Sequence, residues 1–278
     1  MSHTTLEAAI EPWLQHMTWR RDYAAWRERR IKQEQYQAER LGMLQDAAGP
    51  LAGLRLLDLG AGMGGFAVAA ALAGANVTAA EYNPAYCRII ALRAARHGLA
   101  LPILNTAGEA LPLPNATFDA ITAWDVLEHV RDPQQVLSEL ARAVRPGGVV
   151  LLTAINRRAW IDPHYHMAGI NWLPRPLAEA LIARRGRTKA GVAFRDMQRL
   201  SAMHYFHYGE LVRRCERLGF RVRDMREEQL QAGCFVSRKA HRRAIRATLR
   251  TVGLERLAYR AQRRWYVGMF EVALVRVG

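Results

Sequence analysis

The spacing of apolar residues changes repeatedly along the chain, and these changes predict an α/β protein. Short apolar runs typical of buried strands alternate with stretches in which apolar residues recur every three or four positions, as in helices. Strands are predicted at residues 54–59, 76–82, 101–106, 118–127, 149–154, 220–225 and 266–277. Because strands that alternate with helices pair in parallel within βαβ units, we expect a seven-stranded, mostly parallel, doubly wound sheet.

Capping residues followed by proline mark where two helices of the main domain begin. Asn83 and Asp132 can each cap a helix whose first residue is a proline, Pro84 or Pro133. These signals predict one helix that ends near residue 97 and another that ends near residue 145. A third helix is expected over residues 208–218.

The remaining segments are predicted to cover the domain. Residues 12–46 have the pattern of one or two amphipathic helices, so residues 1–49 are expected to form an N-terminal helical lid and residues 50–278 the main domain. Three prolines interrupt the alternation between residues 157 and 205, which we interpret as a lid insertion after the fifth strand. Its Trp160, Trp172 and Leu173 either cover a bound acceptor or pack in the core.

Composition indicates a folded protein with an unequal charge distribution. Half of the 278 residues are hydrophobic and the net charge is +15. The excess lies in residues 156–278, which carry 26 basic and ten acidic side chains. This region is either a solvated arginine-rich surface or one that attracts an anion such as phosphate, carboxylate, nucleic acid or acidic lipid. For the basic helical stretch 238–265 we favour a helix packed on the domain over peripheral membrane contact, and membrane over nucleic acid.

The cysteines and the N-terminus are consistent with a cytoplasmic protein. Cys87, Cys215 and Cys234 are too far apart to suggest a disulfide framework or a zinc site, and the first residues lack a secretory-signal pattern.

Residues 59–80 carry no charged side chain, but they are rich in glycine and alanine. We therefore expect a loop, a helix and a strand there rather than a membrane span.

A glycine-rich loop after the first predicted strand indicates a cofactor site. The sequence DLGAGMGG occupies residues 58–65, and Glu81 ends the next predicted strand, where an acid can accept hydrogen bonds from ribose hydroxyls. The glycines alone also fit a dinucleotide site. Asp58 favours S-adenosylmethionine, because a carboxylate repels a pyrophosphate and attracts a sulfonium and an ammonium.

Three segments together resemble the class I S-adenosylmethionine-dependent methyltransferases. They are DLGAGMGG at 58–65, EALPLPNATFDAITAWDVLEHV at 109–130 and LARAVRPGGVVLLT at 140–153. The LEHV sequence at 127–130 is similar to the subgroup of ubiquinone-biosynthesis O-methyltransferases. The resemblance covers about residues 50–156 and implies a Rossmann-like fold and S-adenosyl-L-methionine as cofactor.

The resemblance also implies roles for individual residues. Asp58 lies near the methionine part of the cofactor, Glu81 holds the ribose, Tyr82 stacks on the adenine and Asp125 faces the methionine ammonium. Backbone of the glycine loop lines the methionine part, through Gly60, Ala61, Gly62 and Gly64. The family often has an acid that meets the adenine amino group where this chain has Ala107, so the adenine is expected to depend on backbone at Gly108 and Glu109.

Histidines are the candidates for acid–base chemistry. His129 follows the fourth predicted strand, and it is either a base for the acceptor hydroxyl or a structural histidine. In an extended segment, His164 and His166 would share a face, as a base, a metal pair, acceptor ligands or plain surface residues. Asp125, Glu128 and His129 could also hold a divalent metal, which we do not favour because Asp125 already has a role.

Taken together, these patterns predict a methyltransferase that O-methylates a small or lipid-linked acceptor of acidic character. A small-molecule N-methyltransferase is the nearest alternative. An NAD-dependent oxidoreductase and a non-catalytic RNA- or membrane-binding module are the alternatives from other classes. The acceptor's identity and the oligomeric state do not follow from the sequence, because acceptor pockets are built by variable insertions.

Overall fold

Seven strands form one sheet in the computed structural model, which describes residues 5–18, 20–188, 198–233 and 240–278. The strands are β1 (Arg55–Leu59), β2 (Asn76–Glu81), β3 (Ile103–Asn105), β4 (Phe118–Ala123), β5 (Val144–Ile155), β6 (Phe220–Asp224) and β7 (Met269–Arg276). Their order is β3-β2-β1-β4-β5-β7-β6, and β7 runs antiparallel to both of its neighbours. The predicted seven-stranded, mostly parallel sheet is therefore confirmed.

Helices cover both faces of the sheet. They are α1 (Leu6–Ile10), α2 (Tyr23–Ile31), α3 (Ala38–Ala48), α4 (Gly65–Leu72), α5 (Pro84–Arg96), α6 (Pro133–Ala143), α7 (Arg175–Arg184), α8 (Tyr208–Arg217), α9 (Met225–Gln231), α10 (Ala240–Thr251) and α11 (Glu255–Trp265). Successive strand residues point to opposite faces, so Leu57 joins the core under α6 and α8, whereas Leu56 joins the core under α3 and α4.

The capping signals locate the helices of the main domain. Asn83 Oδ1 accepts a hydrogen bond from the Ala85 amide at the start of α5, and Asp132 Oδ1 accepts one from the Gln134 amide at the start of α6. Helix α6 ends earlier than predicted, and β5 begins at Val144. Strand β4 ends at Ala123, four residues before its predicted end, because the chain turns at Asp125 with a φ of 58°.

The segments predicted to be helical near both termini are helical in the structure, but each is divided into shorter pieces. Residues 12–46 hold parts of three short helical turns (Glu11–Trp13, Gln15–Met17 and Gln33–Tyr36) and the helices α2 and α3. The basic stretch is two helices, α10 and α11, separated at Gly253, whose φ of 69° a helix cannot contain. Residues 238 and 239 of that stretch, and Cys234, lie outside the described residues.

The insertion at residues 157–205 has a small core of its own. It contains α7 and two short helical turns, Ile170–Trp172 and Leu200–Ala202, while residues 189–197 lie outside the described residues. Its buried side chains are those of Tyr165, Met167, Ile170, Ala178, Ile182 and Leu200. A short parallel bridge between Asn156 and Phe206 joins the two ends of the insertion next to β5.

In the ranges that the structure describes, every helix is too short or too polar to cross a membrane. The uncharged residues 59–80 form a loop, the eight-residue helix α4 and most of β2, as predicted.

Candidate active site

The candidate site lies where the strand order reverses, at the carboxyl ends of β1, β2 and β4. Strand β1 pairs in parallel with both β2 and β4, and Asp58 lies in register with Ala79 on one side and Thr122 on the other. Ligands of open α/β sheets bind in the crevice outside such a reversal.

The glycine loop follows β1 and has a backbone that other residues adopt with difficulty. Gly60, Gly62 and Gly64 have φ values of 67°, 55° and 79°. A Cβ on Gly60 would lie 2.5 Å from Val126 Cγ2, so a side chain there would also collide with the segment after β4. These two constraints explain why the loop is built from glycine. Because glycine has no side chain, a ligand can approach the backbone of the loop closely.

Glu81 connects the end of β2 to the glycine loop. Its carboxylate accepts hydrogen bonds from the amide of Gly62 at 2.8 Å and from the amide of Asn83 at 2.8 Å. The side chain is buried. Glu81 therefore orients the loop, and its carboxylate lies at the edge of the sheet where ligands of α/β folds bind.

Asp58 is a buried carboxylate beneath the loop. Its Oδ1 accepts a hydrogen bond from Thr122 Oγ1 at 2.8 Å, whereas Oδ2 has no hydrogen-bond partner among the described residues. Burial raises the pKa of Asp58 to about 7, and the charge of Glu81 adds to this effect while Thr122 and Arg40 oppose it. A cationic ligand near Oδ2 would favour the ionised form.

Asp125 lies at the end of β4 in the left-handed region of the backbone. Its amide donates to Thr153 Oγ1 at 2.7 Å, and the Thr153 hydroxyl donates to Asp125 Oδ1 at 3.2 Å. Asp125 Oδ2 is 2.8 Å from a guanidinium nitrogen of Arg40, which stacks over the ring of Trp124. The acid predicted to face the methionine ammonium is therefore paired with a cation from helix α3.

The three residues predicted to contact adenine have different environments. Tyr82 is 67% exposed at the end of β2, where its ring is open to a stacking partner. Gly108 is buried, and a Cβ there would meet Val136 and Leu59. The Glu109 carboxylate accepts a hydrogen bond from the Arg131 amide at 2.8 Å and so connects its own loop to the segment after β4.

A carboxylate and two imidazoles meet beside this crevice. The potential ligand atoms of Glu128, His129 and His164 all lie within 4.8 Å of one another. Glu128 is fully buried, and neither of its carboxylate oxygens has a hydrogen-bond partner among the described residues. Burial raises the pKa of Glu128 to about 8, and the charge of Asp125 adds to the effect. A divalent cation fits this donor set, because buried polar atoms are normally satisfied.

The membership of this cluster differs from the predicted one. Asp125 is not part of it, because Arg40 already pairs with its side chain. His164 joins it from the insertion, with its ring centre 5.3 Å from that of His129.

The prediction that His164 and His166 share an extended face is wrong. The segment is a turn in which Asp162 Oδ1 accepts hydrogen bonds from the amides of His164 and Tyr165. His166 has a φ of 52° and is exposed, outside the cluster of Glu128, His129 and His164. Asx turns of this kind are common where Asp precedes proline, so Asp162-Pro163 was the sequence signal for this turn.

Sequence reasoning missed Arg40 and the N-terminal segment that surrounds the glycine loop. A Cβ on Gly65 would overlap the side chain of Gln33, so the turn at Gln33–Tyr36 packs directly on the start of α4. Nothing in the local pattern distinguishes Arg40 from the other arginines of a mixed-charge segment. The role of Arg40 depends on its contact with Asp125, which is 85 residues away in the sequence.

One family of known proteins matches the part of the chain that contains this site. A family model described as a methyltransferase domain matches residues 57–152, which include the end of β1, the glycine loop, Glu81, Asp125 and the Glu128–His129 pair. The chain is 37% identical over 128 residues to the ubiquinone biosynthesis O-methyltransferase of Cereibacter sphaeroides, strain KD131. That match covers 45% of this chain and 51% of the relative, so the chain spans about half the length of the curated relative.

Solved structures share the fold over most of the chain. The cyclase SpnF superimposes with a TM-score of 0.53 at 21% identity, covering 87% of this chain and 82% of its own. Magnesium protoporphyrin IX methyltransferase from Synechocystis PCC 6803, solved with bound SAH, gives a TM-score of 0.51 at 15% identity and covers 89% and 84%. At these identities the similarity shows the fold alone, and one of the two neighbours is a cyclase.

The fold and the matched region show what this chain is similar to. The sheet has the Rossmann-like architecture of its structural neighbours, and residues 57–152 match a methyltransferase domain. The resemblance to class I S-adenosylmethionine-dependent methyltransferases is thereby confirmed. Two of the curated relatives that match, from Cereibacter sphaeroides and Photobacterium profundum, are ubiquinone biosynthesis O-methyltransferases.

Proposed function

We propose that this protein transfers a methyl group from S-adenosyl-L-methionine to an oxygen of a small acceptor. One observation supports this most directly: three acids, Asp58, Glu81 and Asp125, lie at the carboxyl ends of three adjacent strands around a glycine loop. A sulfonium and an ammonium complement such a site, whereas a pyrophosphate would be repelled by it. The matched methyltransferase domain likewise favours methyl transfer over the oxidoreductase alternative.

Each of the three acids has a distinct task in this proposal. Glu81 would hold the ribose hydroxyls through the carboxylate that accepts hydrogen bonds from Gly62 and Asn83. Asp125 would hold the methionine ammonium in exchange for Arg40, which is placed to pair with the methionine carboxylate instead. Asp58 would supply negative charge beneath the loop through Oδ2.

The bound cofactor supplies an electrophilic methyl group, so the chain mainly aligns the donor and the acceptor. His129 would accept the proton of an acceptor hydroxyl, with Glu128 and His164 beside it. In a metal-bound form, the same three side chains would hold a divalent cation that lowers the pKa of the hydroxyl. The metal-bound arrangement would favour an oxygen acceptor, because a hard divalent cation binds a hydroxyl oxygen and promotes its ionisation.

Calorimetry and methyl labelling test this function. S-adenosylmethionine should bind to the purified chain, NAD should not, and labelled methyl from the donor should appear on a catechol-type probe. Tight binding of NAD with no binding of S-adenosylmethionine would refute the proposal. Transfer to amines but not to catechols would assign N-methylation instead.

We also propose that the protein contacts an anionic membrane surface peripherally, which suits a lipid-linked acceptor. The support is an aromatic patch formed by Trp160, Trp172, Trp265 and Tyr266, which lines a cavity of about 580 Å³. The indole rings contact one another, and Arg158 and Arg264 stack on Trp265. Exposed tryptophan and tyrosine with adjacent arginine suit the interface of an anionic bilayer.

Vesicle sedimentation tests the membrane contact. Vesicles containing phosphatidylglycerol should sediment the protein, and Trp172→Ala should weaken this, whereas Tyr36→Ala, at an exposed residue outside the patch, should not. Equal sedimentation with neutral phosphatidylcholine, or no sedimentation at all, would contradict it. The cytoplasmic location remains a prediction.

A further inference from the structure

A second pocket opens beside the Glu128 cluster, on the side of the insertion. It has a volume of about 400 Å³, and its walls come from the segment after β4, the end of β5, the start of α7 and the chain before α8. His204, one of the lining residues, donates its backbone amide to the carbonyl oxygen of Glu128 at 3.0 Å. The pocket therefore borders the residues proposed to act on the acceptor.

Two arginines in this pocket carry charges that no described residue neutralises by direct contact. Arg157 lies two residues after β5, and Arg175 is the first residue of α7. The guanidinium carbon of Arg175 lies 4.5 Å from the centre of the Tyr205 ring, and its Nη1 is buried with no hydrogen-bond partner among the described residues. A buried guanidinium nitrogen without an acceptor is costly, so it indicates a missing partner.

The carboxylates around the pocket are already bound to other groups. Asp162 accepts hydrogen bonds from two backbone amides and from the hydroxyl of Tyr205. Glu210 pairs with Arg214 at 2.6 Å, and Asp132 caps helix α6. Glu179 accepts two hydrogen bonds from Ser201. Among the described residues, these acids therefore do not act as hydrogen-bond acceptors for Arg157 and Arg175.

We propose that Arg157 and Arg175 bind a phosphate group carried by the methyl acceptor. Four guanidiniums line the pocket, those of Arg131, Arg157, Arg175 and Arg214, against the two carboxylates of Asp132 and Glu210. A phosphate offers several acceptor oxygens and up to two negative charges, and guanidiniums bind it through paired hydrogen bonds. Assigning the phosphate to the acceptor rests on the proposed function, whereas phosphate binding by the pocket does not.

The electrostatics of the pair agree with this assignment. Burial lowers the pKa of both Arg157 and Arg175 below the usual value for arginine. The neighbouring charge of Arg157 lowers the pKa of Arg175 further. Both side chains remain charged at neutral pH, because a guanidinium keeps its proton in proteins. A bound dianion would compensate two partly buried like charges at once.

Calorimetry with phenyl phosphate and with phenol, on the full chain at constant ionic strength, tests the site. Phenyl phosphate should bind and phenol should not. Arg157→Gln and Arg175→Gln should each weaken phenyl phosphate binding by about tenfold or more, the loss expected for a hydrogen-bonded charge. Arg184→Gln removes an exposed charge from the other end of α7 and should leave binding unchanged. Equal binding by all four proteins, or equal binding of phenol and phenyl phosphate, would overturn the proposal.

Two further comparisons show whether the phosphate belongs to a lipid or to a soluble molecule, and whether a failure concerns the pocket or the proposed function. Competition by phosphatidylglycerol vesicles would assign the phosphate to a lipid headgroup of the acceptor, and competition by soluble phosphate monoesters alone would assign it to a soluble acceptor. Binding of phenyl phosphate without binding of S-adenosylmethionine would refute the proposed function but not the pocket. Binding of S-adenosylmethionine with no phosphate binding would refute only the pocket. Circular dichroism checks folding, and if Arg175→Gln fails to fold, Arg157→Gln decides.

Discussion

The guanidinium of Arg40 lies 2.8 Å from the carboxylate of Asp125, although 85 residues separate them in the sequence. Arg40 belongs to α3 in the N-terminal segment, and Asp125 lies two residues after the end of β4. The contact brings a cation from the N-terminal segment to the acid that we propose as the partner of the methionine ammonium. The N-terminal segment therefore supplies a charged side chain to the candidate site.

Replacing either member of this pair should weaken binding of S-adenosylmethionine. Asp125→Asn removes the charge that would hold the ammonium, and Arg40→Met removes the cation that would hold the carboxylate. Each is expected to cost about tenfold in affinity, the size of one charge-assisted hydrogen bond. Calorimetry measures the loss, with the exposed Arg29→Met as the control. Unchanged affinity in Asp125→Asn would show that the acid has no role in binding.

Affinity for S-adenosylmethionine should rise with pH through about 7. Burial raises the pKa of Asp58 to about 7, so below that pH the free protein holds a proton that a cationic ligand must displace. Affinity should therefore increase by up to about tenfold per pH unit below pH 7 and level off above it. Calorimetry in buffers of different ionisation enthalpy detects the released proton. Asp58→Asn should abolish both effects, and an equally steep pH dependence in that variant would assign the proton to another group.

Local patterns were sufficient to predict most of the fold. Every strand overlaps a predicted one, although β4 is shorter and β5 longer than predicted, and Asn83-Pro84 and Asp132-Pro133 carry their capping interactions within three residues. Asp58 and Glu81 follow from their positions beside a glycine loop. All of these signals lie within a few residues of the feature that they predict, so a single sequence reveals them.

The missed features depend on contacts between distant segments. His164 reaches Glu128 only because the insertion folds back over the end of β4, and the turn after Asp162 directs His166 away from it. Gln33 lies against Gly65 for a similar reason, since the N-terminal segment packs on α4. Periodicity describes one element at a time and contains no information about which elements meet.

Replacing His129 by alanine should slow methyl transfer without weakening cofactor binding. His129 lies in the Glu128 cluster, where it would take the proton of the acceptor hydroxyl. Loss of a general base lowers kcat by about a hundredfold. Steady-state kinetics measure the change, and His166→Ala, at an exposed histidine outside the cluster, is the matched control. Wild-type kcat in His129→Ala would make that histidine structural.

The cluster of Glu128, His129 and His164 should bind a divalent cation such as Mn²⁺ or Zn²⁺. Two imidazoles and a buried carboxylate suit these ions, and ionisation of Glu128 becomes favourable once a cation is beside it. Glu128→Gln and His164→Ala should weaken binding measured by calorimetry, whereas His166→Ala should not. EDTA should lower methyl transfer, and added Mn²⁺ should restore it. Full activity after exhaustive chelation would show that the reaction needs no metal.

Glu34→Gln should destabilise the protein more than any surface charge change in the same segment. Glu34 is buried and pairs with Arg93, whose side chain is fully buried and also donates to the carbonyl oxygens of Met63 and Ile31. Removing the carboxylate leaves a buried guanidinium without its counter-ion, which typically costs about 3 kcal/mol. Urea unfolding measures the loss. Glu28→Gln breaks only an exposed pair with Lys32 and should cost less than about 1 kcal/mol.

The pH dependence of unfolding gives an independent check on Glu34. Although burial opposes it, a hydrogen bond from the backbone of Glu34 and hydrogen bonds from His97 and Arg93 lower the pKa of Glu34 to about 2, well below its usual value. A lowered pKa contributes stability that is present above the unfolded-state value of about 4.3 and is lost as the pH falls towards 2. The difference in unfolding free energy between wild type and Glu34→Gln should therefore shrink over that interval. A constant difference from pH 5 to pH 2 would mean that the Glu34 charge does not hold the N-terminal segment on the glycine loop.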